Sequence, residues 1–307
     1  MLAGSLKGTS DKWLRQAASS ASLTVAFVLV AVKFWAWLAT DSMSLLTSAA
    51  DAVVDLMASL VTFGGVRFAG RPADSDHRYG HGKAEAVAAL VQGFMLAAAG
   101  IWLGVGSVRH LLNPQPLSQL SFGLWIIAGS TFAASALVLV QTYVVKRTGS
   151  TAIAADRAHY VTDVAVNLAV LVALALERFM GWTRADALGA LGISCYMLWN
   201  ARGIAMHSLI QLLDRELDEA DRDRIRTAIL SCQGVRGVHD LRTRNGGDRV
   251  FVEFHLEVDG RISVDEGHEI GDLTEKAVAS LFQPLADVTA HLEPAGIDDE
   301  RLDDRVE

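Results

Sequence analysis

The chain has 307 residues, of which 51% are hydrophobic, and its formal net charge at pH 7 is −8. The acidic balance argues against a nucleic-acid partner, because proteins that bind nucleic acid present an excess of lysine and arginine to the phosphates. Two cysteines, far apart in the sequence, are too few for a disulfide framework and form no zinc-binding cysteine pair. The length is sufficient for a multi-helix membrane domain followed by a small soluble domain.

The first two thirds of the chain contain six long apolar stretches. Each approaches or exceeds the roughly 20 residues that an α-helix needs to cross a bilayer. The stretches cover approximately residues 17–39, 44–66, 84–106, 122–145, 151–176 and 185–209. The sequence therefore predicts an α-helical membrane protein, with six transmembrane helices in the lipid bilayer over residues 1–213.

The distribution of positive charge predicts the orientation of these helices. Lysine and arginine are frequent before the first stretch, between the second and third, and between the fourth and fifth. These residues are Lys7, Lys12, Arg15, Arg67, Arg71, Arg78, Lys83, Lys146, Arg147 and Arg157. Because basic loops stay on the cytoplasmic side, we expect a multi-pass inner-membrane protein with both termini in the cytoplasm.

Residues 214–294 show the pattern of a soluble α+β domain. A helix capped by Asp218 is followed by two strands, over residues 238–244 and 249–258, that flank a hairpin turn at residues 245–248. Ser263 and Glu266 form a capping box that opens a second helix, and a last strand covers residues 288–293. The order α-β-β-α-β predicts a metal-chaperone-like domain, a sheet with helices on one face.

Two details of this region follow from its periodicity and composition. The second helix of the α+β domain is predicted to bury Ile270, Leu273, Ala277 and Leu281 on one face. The closing segment, residues 295–307, is acidic and is predicted to be a disordered tail.

Two pairs of ionisable side chains lie within the second and fifth predicted membrane helices. Asp51 and Asp55 are four residues apart, as are His159 and Asp163, so each pair projects from one helix face. Such groups are expensive in hydrocarbon and usually mark an ion pathway, although structural, hydrogen-bonded carboxylates are the alternative. If the helices face each other, these four residues, the transport quartet, form a tetrahedral site for a divalent cation. Lys33, in the first helix, is interpreted as snorkelling outward.

Asp74, His77 and His81, called here the loop triad, have ligand chemistry within the short loop after the second helix. Solvated loop histidines are also common, and Asp76 can equally supply the carboxylate.

A further set, the soluble-domain set, contains four histidines and one carboxylate. Its members are His239, His255, His268, His291 and Glu293. Because two of these histidines lie on polar strand faces, the set predicts a metal cluster.

These motifs resemble those of the cation diffusion facilitator family, and most closely its bacterial ferrous-iron and zinc efflux branch. The resemblance rests on the two i, i+4 pairs of the transport quartet and on the loop from His77 to Glu85. It also rests on the segments 212–215 and 239–244, and it extends from the first predicted span to about Pro294.

The resemblance implies a homodimeric antiporter that exports a divalent metal from the cytoplasm in exchange for protons. It implies that the quartet is the transport site, that the loop triad is a second site, and that the soluble-domain set is a two-metal site at the dimer interface. Lys83 and Asp214 match a charge pair that ties the two domains together. One departure is Glu293, where relatives usually have Asp. Its longer side chain moves the carboxylate that is expected to bind the second metal of that cluster.

Ligand chemistry favours particular metals and a particular mechanism. An imidazole among carboxylates favours Zn²⁺ and also suits Cd²⁺ and Fe²⁺, whereas an all-carboxylate site would favour Mn²⁺. Metal binding requires deprotonated ligands, so His159 is predicted to carry an exchanged proton.

The alternatives to a transporter are a metal sensor that signals without transport and a membrane metalloenzyme. The enzyme is disfavoured because protein ligands fill the site and no H-E-x-x-H motif occurs.

Overall fold

The structure is a computed structural model. It describes residues 2–40, 43–112, 121–182, 184–282 and 286–296, so the predicted tail lies outside the described residues from position 297 onward. Six long helices come first in the chain. They are α1 (Leu2–Thr40), α2 (Met43–Ala69), α3 (Ala84–Leu112), α4 (Ser121–Thr148), α5 (Thr151–Met180) and α6 (Ala185–Leu212). These helices extend beyond the predicted spans, most of all α1, which includes the basic residues that precede the first apolar stretch.

The chain forms two compact units. The membrane unit comprises residues 11–71 and 84–209, and the α+β unit comprises residues 1–10, 72–83 and 210–307. The loop between α2 and α3, which carries the loop triad, therefore belongs to the α+β unit. In the membrane unit, four helices of the described chain are long and apolar enough to cross a bilayer, in the segments Asp11–Ala39, Ser48–Ala69, Ala84–Leu112 and Ala128–Thr148. The helix α5 has similar length but carries the polar residues Asp156, His159 and Asp163.

Small side chains allow the membrane helices to pack closely. Ala18, Ala88 and Ala152 are buried in one cluster with Val66 and Val144. A Cβ atom added at Gly65 of α2 would overlap the side chain of Ala88 of α3. Membrane helices gain little from burying apolar surface against one another, so close backbone approach through small residues is a main source of their packing energy.

The α+β unit contains two helices and a three-stranded sheet. Its elements are α7 (Glu219–Leu230), β1 (Val235–Asn245), β2 (Val250–Val258), α8 (Val264–Ala279) and β3 (Asp287–Pro294). The central strand β2 pairs antiparallel with β1 and parallel with β3. Alternate residues of β2, including Val252, Phe254 and Leu256, pack with Ile225 and Ile229 of α7 in the core. The other face of the sheet is therefore left for polar side chains.

The predicted capping box of α8 is present, but the predicted buried face of this helix is partly wrong. The Ser263 side chain accepts a hydrogen bond from the Glu266 amide, and the Glu266 side chain accepts one from the Ser263 amide. Leu273, however, is 58% exposed. The buried stripe consists instead of Gly267, Gly271, Thr274 and Val278. The two glycines lie against Leu292, so the helix presents small residues to the sheet and Leu273 is rotated away.

Candidate metal-transport site

Three members of the transport quartet lie together where α2 contacts α5. The Nε2 atom of His159 is 2.9 Å from Asp55 Oδ1 and 3.8 Å from Asp163 Oδ2. One donor atom from each of these residues lies within 4.8 Å of the other two. His159 is buried and both carboxylates are half-buried, whereas Ser59 and Thr62, further along α2, have no exposed surface. This trio offers nitrogen and oxygen donors at a spacing that one small cation can bridge.

The fourth member, Asp51, lies one turn before Asp55 on α2 and is exposed. Its carboxylate is not in the described group of donor atoms that lie within 4.8 Å of one another, so its role as a ligand stays a prediction. Lys33 of α1 is half-buried and interacts electrostatically with both Asp51 and Asp163. The outward-snorkelling orientation of Lys33 stays a prediction.

The structure brings the loop triad together around Asp74. The two carboxylate oxygens of Asp74 each lie 3.3 Å from a histidine nitrogen, one of His77 and one of His81. The backbone amides of His77 and Asp76 donate hydrogen bonds to the same carboxylate, at 2.7 and 3.1 Å. The hydrogen bond from the His77 amide is the main cause that lowers the pKa of Asp74. Asp74 is therefore an ionised, oriented ligand candidate, while Asp76 contributes its amide.

The loop that carries the triad packs on the β1–β2 hairpin within the α+β unit through Tyr79. The Tyr79 ring meets Phe251 edge-on with centroids 5.5 Å apart, and the Arg244 guanidinium lies 4.6 Å from the centre of the Tyr79 ring. Lys83 Nζ lies 2.7 Å from Asp214 Oδ1, so the predicted charge pair is formed. Its role in tying the domains together stays a prediction.

Sheet register aligns three histidines of the soluble-domain set. His239 of β1 is opposite His255 of β2, which is opposite His291 of β3, and the successive ring centroids are 5.1 and 4.8 Å apart. The Glu293 carboxylate reaches all three rings, at 3.2 Å from His239 Nε2, 2.5 Å from His255 Nδ1 and 3.7 Å from His291 Nε2. The longer glutamate arm thus places its charge at the centre of the row.

The fifth member, His268, lies on α8, where its side chain is 77% exposed and 4.0 Å from Asp272. Its membership in the cluster stays a prediction, because no donor group in the described chain includes it.

Sequence reasoning missed two carboxylates beside the histidine row. Glu257 Oε1 lies 3.1 Å from His239 Nδ1. Asp240 is buried at a β-bulge, has a φ of +50°, and has a donor atom within 4.8 Å of donors from His239 and His255. Strand alternation places Glu257 on the same face as His255, so the sequence pattern could have identified Glu257. The position of Asp240 depends on the bulge, which the sequence does not reveal.

Comparisons with known proteins bear on the whole chain. The sequence model of the cation efflux transmembrane domain matches residues 19–213. The chain belongs to the cation efflux family, that is, to the cation diffusion facilitators. A second model of this family, for the cytoplasmic domain of cation efflux proteins, matches residues 217–295.

Relatives in the cation efflux family are similar over almost their full length. The cation-efflux pump FieF of Shewanella oneidensis is 42% identical over 289 residues, which cover 94% of this chain and 96% of the relative. FieF of Yersinia enterocolitica is 40% identical over 284 residues, which cover 92% and 94%. The chain is therefore a multi-pass membrane protein and a cation efflux transporter, not an enzyme, with a helical transmembrane domain and a cytoplasmic α+β domain.

Two solved structures are similar to part of the chain. The putative zinc transporter CzrB in its zinc form is 39% identical and covers 29% of this chain and 99% of its own, with a TM-score of 0.26. The MamM CTD in a cadmium form is 32% identical and covers 25% and 95%, with a TM-score of 0.24.

Proposed function

We propose that this cation efflux transporter is a homodimeric antiporter of the inner membrane that exports a divalent transition metal from the cytoplasm in exchange for protons. The observation that supports this proposal is the trio of Asp55, His159 and Asp163, whose donor atoms lie within 4.8 Å of one another between two membrane helices. In this proposal both termini are cytoplasmic, and Asp51 completes the transport site when the helices close on the ion.

The donor set favours Zn²⁺ as the transported ion. One imidazole among carboxylates is a borderline set that suits tetrahedral Zn²⁺, and Cd²⁺ and Fe²⁺ are the next candidates. The site lies between helices of the membrane unit, which is where transporters that work by alternating access place their ion sites. Rocking of the helices would then expose the same donors first to one side of the membrane and then to the other.

Competition between metal and protons supplies the coupling. A metal ion binds only deprotonated carboxylates and neutral imidazole, so loading the site releases protons and protonation expels the ion. His159 is the group we assign to the exchanged proton, because its Nε2 atom lies between the two carboxylates. A pH gradient can thereby drive metal flux without any covalent chemistry.

The remaining sites are assigned to regulation and assembly. The loop triad and the soluble-domain set belong to the α+β unit, so we propose that they bind Zn²⁺ outside the transport path. The domain boundaries in this proposal are a transport domain over residues 1–213 and a metal-binding and dimerisation domain over residues 214–294. Metal on the α+β domain would bias the conformation of the transporter or tighten its dimer.

The test is flux in reconstituted vesicles with an imposed pH gradient. Asp55→Ala removes a carboxylate that touches His159, so we expect gradient-driven Zn²⁺ flux to be lost. Asp265→Ala, which removes an exposed carboxylate at the start of α8, is the matched control and should transport normally. Full flux in Asp55→Ala would show that the transport site is elsewhere.

A further inference from the structure

A second carboxylate of α5, Asp156, is fully buried and takes no part in the donor trio. Its oxygens accept hydrogen bonds from Ser22 Oγ of α1 at 2.5 Å, from Gln141 Nε2 of α4 at 2.7 Å and from Gln92 Nε2 of α3 at 3.4 Å. One side chain of α5 is thus held by three other helices. We call this group the buried polar node.

The node also includes α2. Gln92 Nε2 donates to the carbonyl oxygen of Ala58 at 2.8 Å and contacts the Thr62 hydroxyl. Ser59 Oγ is 3.1 Å from Ser22 Oγ and 3.0 Å from Tyr160 Oη. All the side chains of this network are buried, so its hydrogen bonds are shielded from water and hold their geometry more firmly than surface bonds do.

The node is positioned one helical turn from the transport donors on both helices that supply them. On α5, Asp156 is three residues before His159, and on α2, Ser59 is four residues after Asp55. Residues three or four apart lie on the same face of a helix, so the node and the donors form successive layers of the same α2–α5 contact. A shift of α5 against α2 in one layer must therefore shift the other.

The burial of the Asp156 carboxyl group makes this layer sensitive to helix position. No lysine or arginine of the described chain forms an ion pair with it. A buried carboxylate is tolerated only if hydrogen bonds replace its lost hydration. Here three neutral donors do so, and they come from three helices. Sliding α5 by one residue would break these bonds together, so the node selects one register of α5.

We propose that Asp156 is a positioning residue of the transport site, which sets the register of α5 so that His159 and Asp163 meet Asp55. The inference rests on the proposed role of the trio in metal binding. Asp156 itself does not ligate the transported ion in this proposal. Residues that orient metal ligands without touching the metal commonly change metal affinity about 10–100-fold when removed.

The first test compares Asp156→Asn with the unmodified full-length protein in vesicles, with Zn²⁺ as the only metal. The amide keeps the shape of the side chain but leaves a single acceptor oxygen for the three donors that the two carboxylate oxygens accept from. We expect the KM for Zn²⁺ to rise about tenfold or more, with a smaller change in the maximal rate, because the ligands are displaced but not lost. An unchanged KM would overturn the proposal.

The second test is a polarity swap. Combining Asp156→Asn with Gln141→Glu restores an amide–carboxylate hydrogen bond between α5 and α4 with donor and acceptor exchanged. If Asp156 acts by fixing the register, the double variant should recover most of the lost affinity, whereas Gln141→Glu alone should not improve on the unmodified protein. A double variant that is no better than Asp156→Asn would overturn the proposal, because a role that needs the carboxylate on α5 itself is not one of positioning.

One further variant and two comparison variants complete the design of these tests. If Asp156→Asn does not fold, Ser22→Ala removes the hydrogen bonds of Ser22 Oγ to Asp156 and Ser59 without removing a charge. An unchanged KM in that variant would equally overturn the proposal. Asp186→Asn, at the start of α6, is the matched control. Asp55→Ala separates the two proposals. If Asp55→Ala abolishes flux while Asp156→Asn has a normal KM, only the positioning role of Asp156 fails. If Asp55→Ala keeps full flux, the assignment of the transport site itself is wrong.

Discussion

His159 is the side chain through which the two ligand-bearing helices meet, since its Nε2 atom contacts Asp55 of α2 and lies near Asp163 on its own helix. The imidazole is also the only nitrogen donor of the proposed transport quartet. Two properties of the transporter therefore depend on one residue. In the proposed mechanism it supplies the softer donor that favours Zn²⁺, and it carries the proton that metal binding displaces.

Replacing this imidazole by a carboxylate should change which metal is transported. In His159→Asp the site has only oxygen donors, which favour harder cations such as Mn²⁺ over Zn²⁺. We expect the ratio of Zn²⁺ flux to Mn²⁺ flux in vesicles to fall, with Mn²⁺ transport becoming measurable. The control is His207→Asp, which changes a histidine of α6 that lies outside the described donor groups. An unaltered metal ratio in His159→Asp would remove the imidazole from the selectivity determinants.

At the scale of elements, some features follow from sequence spacing and others do not. The spacing of Asp51, Asp55, His159 and Asp163 predicted two ligand-bearing helix faces, because the helical period fixes which residues share a face. Strand alternation likewise predicted the face that carries His255. The position of Asp240 depends on a β-bulge, and the rotation of α8 depends on the fit of its glycines against the sheet. Such features arise from tertiary packing, which local periodicity does not encode.

Two ion pairs tie helix ends of the membrane unit and differ in burial. Glu85 of α3, whose side chain is 5% exposed, pairs with Arg15 of α1 at 3.2 Å and accepts a hydrogen bond from Ser150. Arg147 of α4 pairs with Asp11 of α1 at 3.4 Å, with side chains 46% and 32% exposed. Breaking a buried pair leaves an uncompensated charge, whereas an exposed pair is largely screened by water.

The buried pair should therefore contribute far more to stability than the exposed one. We expect Glu85→Gln to cost about 3–5 kcal/mol, and Arg147→Gln to cost at most about 1 kcal/mol. Thermal unfolding of the two full-length variants in the same detergent gives the comparison, with the unmodified protein as reference. Equal melting temperatures for the two variants would show that the Arg15–Glu85 pair contributes no more to stability than the exposed pair.

On the scale of the whole molecule, the donor trio lies in the membrane unit and the histidine row lies in the α+β unit. The membrane unit holds its donor trio between α2 and α5. The α+β unit holds its histidine row on one face of a sheet, with the side chains of His255 and His291 31% and 67% exposed. Rings that are this exposed suit a site that responds to metal in solution.

This separation predicts that the histidine row can be removed without abolishing transport. In the full-length variant His255→Ala, His291→Ala, two of the three aligned rings are lost, so we expect less bound Zn²⁺ in calorimetric titration and a dimer that Zn²⁺ no longer tightens in sedimentation experiments. Residual pH-gradient-driven flux should persist. Asp55→Ala should give the opposite pattern, with the Zn²⁺ effect on the dimer kept and flux lost. Complete loss of flux in a correctly folded double-histidine variant would instead place the row on the path of the transported ion.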